Sequence, residues 1–101
     1  MAIFGYGRVS TAQQDTENQR LELEQAGWTF DFWFADIVSG KVQAIQRKAF
    51  AEMLGKIRTG ETLVVAKLDR LGRDAIDVLQ TVRLLSDRGI KVIVHQLGTT
   101  D

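Results

Sequence analysis

The chain contains no cysteine and no proline, and it has a single histidine. Without cysteine there are no disulfides, no thiol nucleophile and no thiolate-held metal. One imidazole, His95, cannot build a histidine metal cluster. With no Gly-x-Ser-x-Gly turn in the chain, a serine hydrolase triad is not supported either, and His95 reads as a structural residue at a strand end. No proline-marked linker, internal repeat or low-complexity stretch divides the 101 residues, so they are read as one domain with one core. Residues 1–10 lack the basic leader and apolar run of a signal peptide. No apolar run reaches the length of a membrane span, so a soluble, cytoplasmic protein without membrane partners is expected.

An excess of either charge is also missing, since 13 basic residues balance 13 acidic ones. A neutral chain lacks the uniform basic coat of a nonspecific nucleic-acid binder. The average hides local bias. Residues 37–48 carry Lys41, Arg47 and Lys48 with no acid, and residues 67–73 carry Lys67, Arg70 and Arg73 against Asp69 alone. Two such stretches meeting in space would form a cationic pocket on a neutral body, suited to one anion held in one place.

The hydrophobic fraction of 45% is ordinary for a globular domain, and its pattern alternates between two periods. Residues 2–9 form an apolar run interrupted by Gly5 and Gly7, which reads as a strand inside a sheet, with the glycines allowing close approach of a helix or another backbone. Residues 14–26 read as a helix stopped by Gly27, and the aromatic stretch 28–35 as a second strand. Residues 36–46 form a loop long enough to be functional or mobile. Arg47 then opens a helix with Phe50, Met53, Leu54 and Ile57 on one face and Gly60 as its stop. Arg47 itself lies near the apolar edge of the first turn, able to reach inward.

Residues 63–66 read as a short buried strand. Asp74 is a candidate N-cap for a helix to Arg88, with a stripe of Ala75, Val78, Leu79, Val82 and Leu85, and residues 90–94 read as a last strand. Alternation of strand and helix predicts an α/β domain with a mainly parallel central sheet and helices on both faces. In such sheets ligands gather at the carboxyl ends of the strands. The stretches around Arg8 and Ser10 and from Lys67 to Arg73 both follow strands, so they are expected on the same edge.

Strand periodicity puts Arg8 and Ser10 on one face. A hydroxyl beside a permanent cation can present an oxygen nucleophile to a phosphate; alternatively, Ser10 and Thr11 are turn or capping residues and Arg8 an ion-pair partner. The carboxylates Asp36, Asp69 and Asp74 are scattered in sequence and the cations grouped. Arginines are therefore the candidates for stabilising transition-state charge, in the place metal ions take in many nucleases.

Three separated motifs agree with one family. Tyr6-Gly7-Arg8-Val9-Ser10-Thr11 with Gln14 and Gln19, Ser39-Gly40 with Arg47, and Lys67-Leu68-Asp69-Arg70-Leu71-Gly72-Arg73 resemble, in order and spacing, the catalytic domain of serine recombinases of the resolvase/invertase family. The resemblance implies a resolvase-like α/β domain and metal-free, cofactor-free DNA cleavage. Ser10 would form a phosphoserine link to a DNA end before strand exchange and rejoining. It places Arg8, Arg47, Arg70 and Arg73 at the scissile phosphate and has Lys67 and Asp69 complete the site, with Gln14, Gln19 and Ser39 in support. It departs in Lys48, where many relatives have proline.

The resemblance further implies that residues 1–101 are a catalytic domain truncated before a long helix, used for dimer and tetramer contacts, and a DNA-binding domain. Such a fragment would bind DNA weakly and not recombine it. The competing reading is a non-catalytic α/β module that binds a phosphate or a partner.

Overall fold

The computed structural model describes residues 1–11 and 16–97. In chain order the elements are strand β1 (Ile3–Val9), helix α1 (Thr16–Gln25), strand β2 (Phe32–Ile37), helix α2 (Lys48–Lys56), strand β3 (Thr62–Val65), helix α3 (Ala75–Asp87) and strand β4 (Lys91–Val94). The four strands form one sheet in the order β2-β1-β3-β4. Every pairing is parallel, with Tyr6 opposite Phe34 on one side and Val65 on the other.

Alternation along the strands divides the core. Phe4 and Tyr6 of β1 and Leu63 and Val65 of β3 face one side, where they meet Phe50, Met53 and Ile57 and also Val78 and Leu85 of α3. Val64, Ala66 and Ile93 face the other side with Leu23 of α1, Trp28 and Trp33. Helices therefore cover both faces, as the sequence predicts. The room left by Gly5 and Gly7 is taken by an aromatic side chain rather than by a helix or strand backbone: a Cβ at Gly5 would come within 2.4 Å of the Trp33 ring, and one at Gly7 within 2.8 Å.

Several boundaries differ from expectation: β3 is Thr62–Val65 rather than 63–66 and β4 starts at Lys91 rather than 90. The second strand begins at Phe32, not at Trp28, because residues 28–31 turn the chain onto the sheet: the Trp28 N–H donates to Leu23 O at 3.1 Å, and the Asp31 carboxylate accepts from Ile3 N–H at 2.7 Å. That strand continues to Ile37, so Asp36 is the end of a strand rather than the start of a loop. Helix α2 ends at Lys56, before Gly60, where Ile57 turns extended with φ −71° and ψ 139°.

Helix α3 is capped as predicted, the Asp74 carboxylate accepting from Asp77 N–H at 2.8 Å. Its buried face is rotated from the apolar stripe. Asp77, Val78, Thr81 and Leu85 point inward, while Ala75 is exposed and Leu79 is 69% exposed. Burial of the polar pair is tolerated because both find partners, the Thr81 hydroxyl donating to Asp77 O at 2.8 Å.

A candidate active site at the carboxyl edge of the sheet

Strand order puts the start of the site where the topology reverses. The chain leaves β1 toward β2 on one side, and β3 comes back to pair with β1 on the other. A crevice opens at the carboxyl ends of two strands whose connections diverge in this way. The segments that follow β1 and β3 are the two charged stretches.

Arg8 lies on the face of β1 that carries Phe4 and Tyr6; the strand ends at Val9, so Ser10 stands in the bend just beyond it rather than on that face by strand periodicity. The Arg8 guanidinium Nη1 donates to Ser10 Oγ at 3.2 Å and to Val38 O at 3.1 Å. It also packs over Gly40, where a Cβ would lie 3.4 Å from the guanidinium carbon. Burial, and then the like charges of Arg70 and Arg47, pull the Arg8 pKa below its ordinary value. Tyr6 and Asp69 act in the opposite direction. Ser10 is exposed. Gln19, from α1, clamps the strand end: its Oε1 accepts from Arg8 N–H at 3.2 Å and its Nε2 donates to Arg8 O at 2.9 Å.

The second stretch forms a 3-10 turn at Leu68–Leu71. There the exposed Asp69 carboxylate accepts from Arg70 Nη1 at 2.9 Å, and Arg70 is the less exposed partner. Arg73 is half-exposed and pairs loosely with Asp74, Nε to Oδ2 being 3.8 Å. Lys67 is exposed. Gly72 lets this turn lie against α3, since a Cβ there would come within 2.5 Å of the Val78 backbone nitrogen.

Arg47 is 0% exposed. Its Nε donates to Val42 O at 3.0 Å and its Nη1 to Arg70 O at 2.7 Å, so it ties the segment after β2 to the segment after β3. Among the described residues its buried Nη2 has no acceptor, and neither has the Nε of Arg8 or of Arg70. Ser39 stands at the rim, its hydroxyl accepting from Lys41 N–H at 3.1 Å. Gln14 lies outside the described residues. His95 is away from this cluster, 3.9 Å from Glu22 Oε1.

Two residues beneath the site escape the sequence reading. The Tyr6 hydroxyl donates to Asp36 Oδ2 at 2.7 Å, and the same carboxylate accepts from the backbone N–H groups of Ala49 and Phe50 at 2.8 and 3.0 Å. Asp36 thus closes the N-terminus of α2, next to Arg47, from the end of the neighbouring strand. Burial holds the Tyr6 hydroxyl well above the ordinary phenol range; the Arg47 guanidinium works against this and the Asp36 carboxylate with it. The available signals were the period of two linking Tyr6 to Arg8 and the acid-free stretch after Asp36.

An open groove of about 780 Å³ adjoins the cluster. Arg8, Asp69 and Arg73 line it together with Ser39, Gly40 and Lys41, and Leu68, Val78 and Leu79 form an apolar wall. Among the described residues no three histidines, cysteines or carboxylates are grouped to hold a metal ion. No helix there is long and apolar enough to cross a membrane.

Comparison with known proteins gives the family. The family model for the resolvase N-terminal domain matches residues 3–101. The chain belongs to that family. It is 43% identical to the Transposon Tn2501 resolvase of Escherichia coli over 101 residues, covering 98% of this chain and 52% of that protein. Serine recombinase PinR of Escherichia coli (strain K12) is 41% identical over the same share of each chain. Among solved structures, the C-terminal catalytic domain of ISC1926 TnpA, an IS607-like serine recombinase, superposes with a TM-score of 0.75 at 25% identity, covering 93% of this chain and 67% of that one. This resolvase domain therefore spans about half the length of those two sequence relatives.

Proposed function

We propose that this resolvase domain performs the chemistry of site-specific DNA recombination, with Ser10 as the nucleophile. Ser10 Oγ attacks the scissile phosphorus, the bond from phosphorus to the leaving sugar oxygen breaks, and the proton lost by the serine is matched by one gained at that oxygen. The DNA end is left esterified to Ser10. Because the ester keeps the bond energy of the diester, rejoining to a new end needs no nucleotide cofactor. The observation that carries this reading is the Arg8 guanidinium, 3.2 Å from Ser10 Oγ and crowded by like charge from Arg70 and Arg47. A phosphate would relieve that crowding, and charge developing on its oxygens strengthens the contacts in the transition state.

Arg8, Arg70 and Arg73 with Lys67 hold the phosphate in this scheme. Asp69 orients Arg70, and Gln14, Gln19 and Ser39 support the surrounding backbone. Arg47 contributes its buried, unpartnered Nη2. The working protein acts on DNA as a dimer or tetramer in the cytoplasm, with site recognition and subunit contacts supplied by parts beyond this catalytic domain, as the greater length of the relatives suggests.

The test uses an intact resolvase in which residues 1–101 replace the matching segment, with a supercoiled plasmid bearing that resolvase's site. The parent chimera is expected to yield protein covalently attached to DNA, in the presence or absence of a chelator, and Ser10→Ala none. Attachment surviving Ser10→Ala would remove Ser10 as the nucleophile. Attachment abolished by chelator would point to metal-dependent cleavage. A parent that never attaches would leave an anion-binding module.

A further inference from the structure

Asp77 is 5% exposed and lies outside the set of residues assigned above. A carboxylate removed from water needs donors. Its Oδ2 accepts from Ala44 N–H at 3.1 Å and from Arg73 N–H at 2.9 Å. Both amides lie outside α3, on the two segments that carry the buried and the exposed arginines. Ala44 opens the 3-10 turn Ala44–Gln46, and the Arg47 N–H closes that turn by donating to Ala44 O at 3.1 Å. Arg73 is held directly, through its own amide. A second tie joins the same two segments where Arg47 Nη1 donates to Arg70 O.

Service to its own helix accounts for only part of this carboxylate's bonding. Asp74 already caps α3; of the two donors to Asp77, Arg73 stands just before that cap, and Ala44 comes from 33 residues away. Its neighbours fix it in place: the Thr81 hydroxyl is bonded to its carbonyl, and Gly72 allows the turn carrying Arg73 to press against its backbone, with a Cβ at Gly72 only 2.9 Å from the Asp77 carbonyl carbon.

We propose that Asp77 is a positioning residue that sets the spacing of Arg73 and Arg47 about the phosphate attacked by Ser10. It does so by holding both arginine-bearing segments to the first turn of α3 through one oxygen. This inference rests on the reading of Ser10 as nucleophile. Loss of the shared acceptor lets the two segments separate without removing any group that touches the phosphate, and misplacement of about 1 Å can cost about 100-fold in rate.

The experiment takes the same chimera and plasmid and compares the parent with Asp77→Ala and Asp77→Asn. It measures the first-order rate of covalent attachment at saturating protein, the affinity for the plasmid, and thermal unfolding. Asp77→Ala is expected to unfold cooperatively above the assay temperature and to bind within about threefold of the parent, yet to attach about 30- to 100-fold more slowly. Asp77→Asn keeps an acceptor oxygen and is expected to restore the rate to within about fivefold of the parent. A parental rate for Asp77→Ala, an Asp77→Asn as slow as Asp77→Ala, or loss of folding in both variants would each overturn the proposal. A parent that forms no attachment would remove the Ser10 reading and this inference with it, whereas an active parent with an unaffected Asp77→Ala removes this inference alone.

Discussion

At the scale of single residues, the site separates groups that meet solvent from groups that hold them in place. Ser10, Lys67 and Arg73 are exposed, while Tyr6, Asp36 and Arg47 are buried. The same kinds of side chain therefore carry different risks when changed. Tyr6 is the only tyrosine in the chain, and its hydroxyl bond to Asp36 is inside the core. Tyr6→Phe is expected to lower stability by about 1–2 kcal/mol at neutral pH, measured by urea unfolding. The folded chain holds the Tyr6 proton more tightly than an unfolded phenol with the ordinary pKa of 10.0. The stability it brings is therefore complete below about pH 10 and declines as pH rises above that value. Tyr6→Phe lacks this decline, so the difference between parent and variant should shrink between pH 9 and about 11. A difference that grows over that interval would contradict the assignment.

Among elements, α2 depends on a residue from another element. Its N-cap position is Arg47, whose side chain makes no capping hydrogen bond, and the first turn's amides are met instead by Asp36 from β2. Asp36→Ala is expected to cost about 2–3 kcal/mol in thermal or denaturant unfolding, the sum of a lost cap and a stranded buried hydroxyl. It should also loosen Arg47, seen as faster hydrogen exchange at the Ala49 and Phe50 amides. This dependence marks the limit of what the sequence discloses. Periodicity and composition together located the four strands and three α-helices of the described residues, and Asp74 was legible as a cap because a cap acts within its own helix. Asp36 was not, because its partners lie 13 and 14 residues away and are paired with it only by the fold. Asp77 broke the apolar stripe of α3 for the same reason: a buried carboxylate is unreadable until its donors, here Ala44 and Arg73, are known. The residues around Ser10 were legible in kind from three motifs, but the burial of Arg47 was not, since a helix-start arginine near an apolar edge can face either way.

The molecule as a whole combines zero formal charge with a local cluster of cations. Binding of duplex DNA by the 101-residue chain alone should be weak, with a dissociation constant on the order of 10⁻⁴ M or above near physiological salt. If Arg8, Lys67, Arg70 and Arg73 each neutralise one phosphate, the logarithm of affinity should fall against the logarithm of salt with a slope of about −3 to −4. Fluorescence anisotropy over a salt series, with two duplexes of unrelated sequence, measures both quantities. A slope near zero, or a strong preference for one duplex, would place recognition elsewhere on the surface. The all-parallel sheet also has a use for protein engineering. Because every strand runs toward the edge that carries the candidate site, the turns that feed strands from helices lie at the far end of the molecule. The turn at Gly27, where φ is 106° and an added Cβ would meet no atom within 4 Å, is exposed and open where a side chain would project. A fluorescent label or a short peptide tag inserted there would ride on the back of the domain and leave the edge that carries Arg8 and Ser10 clear.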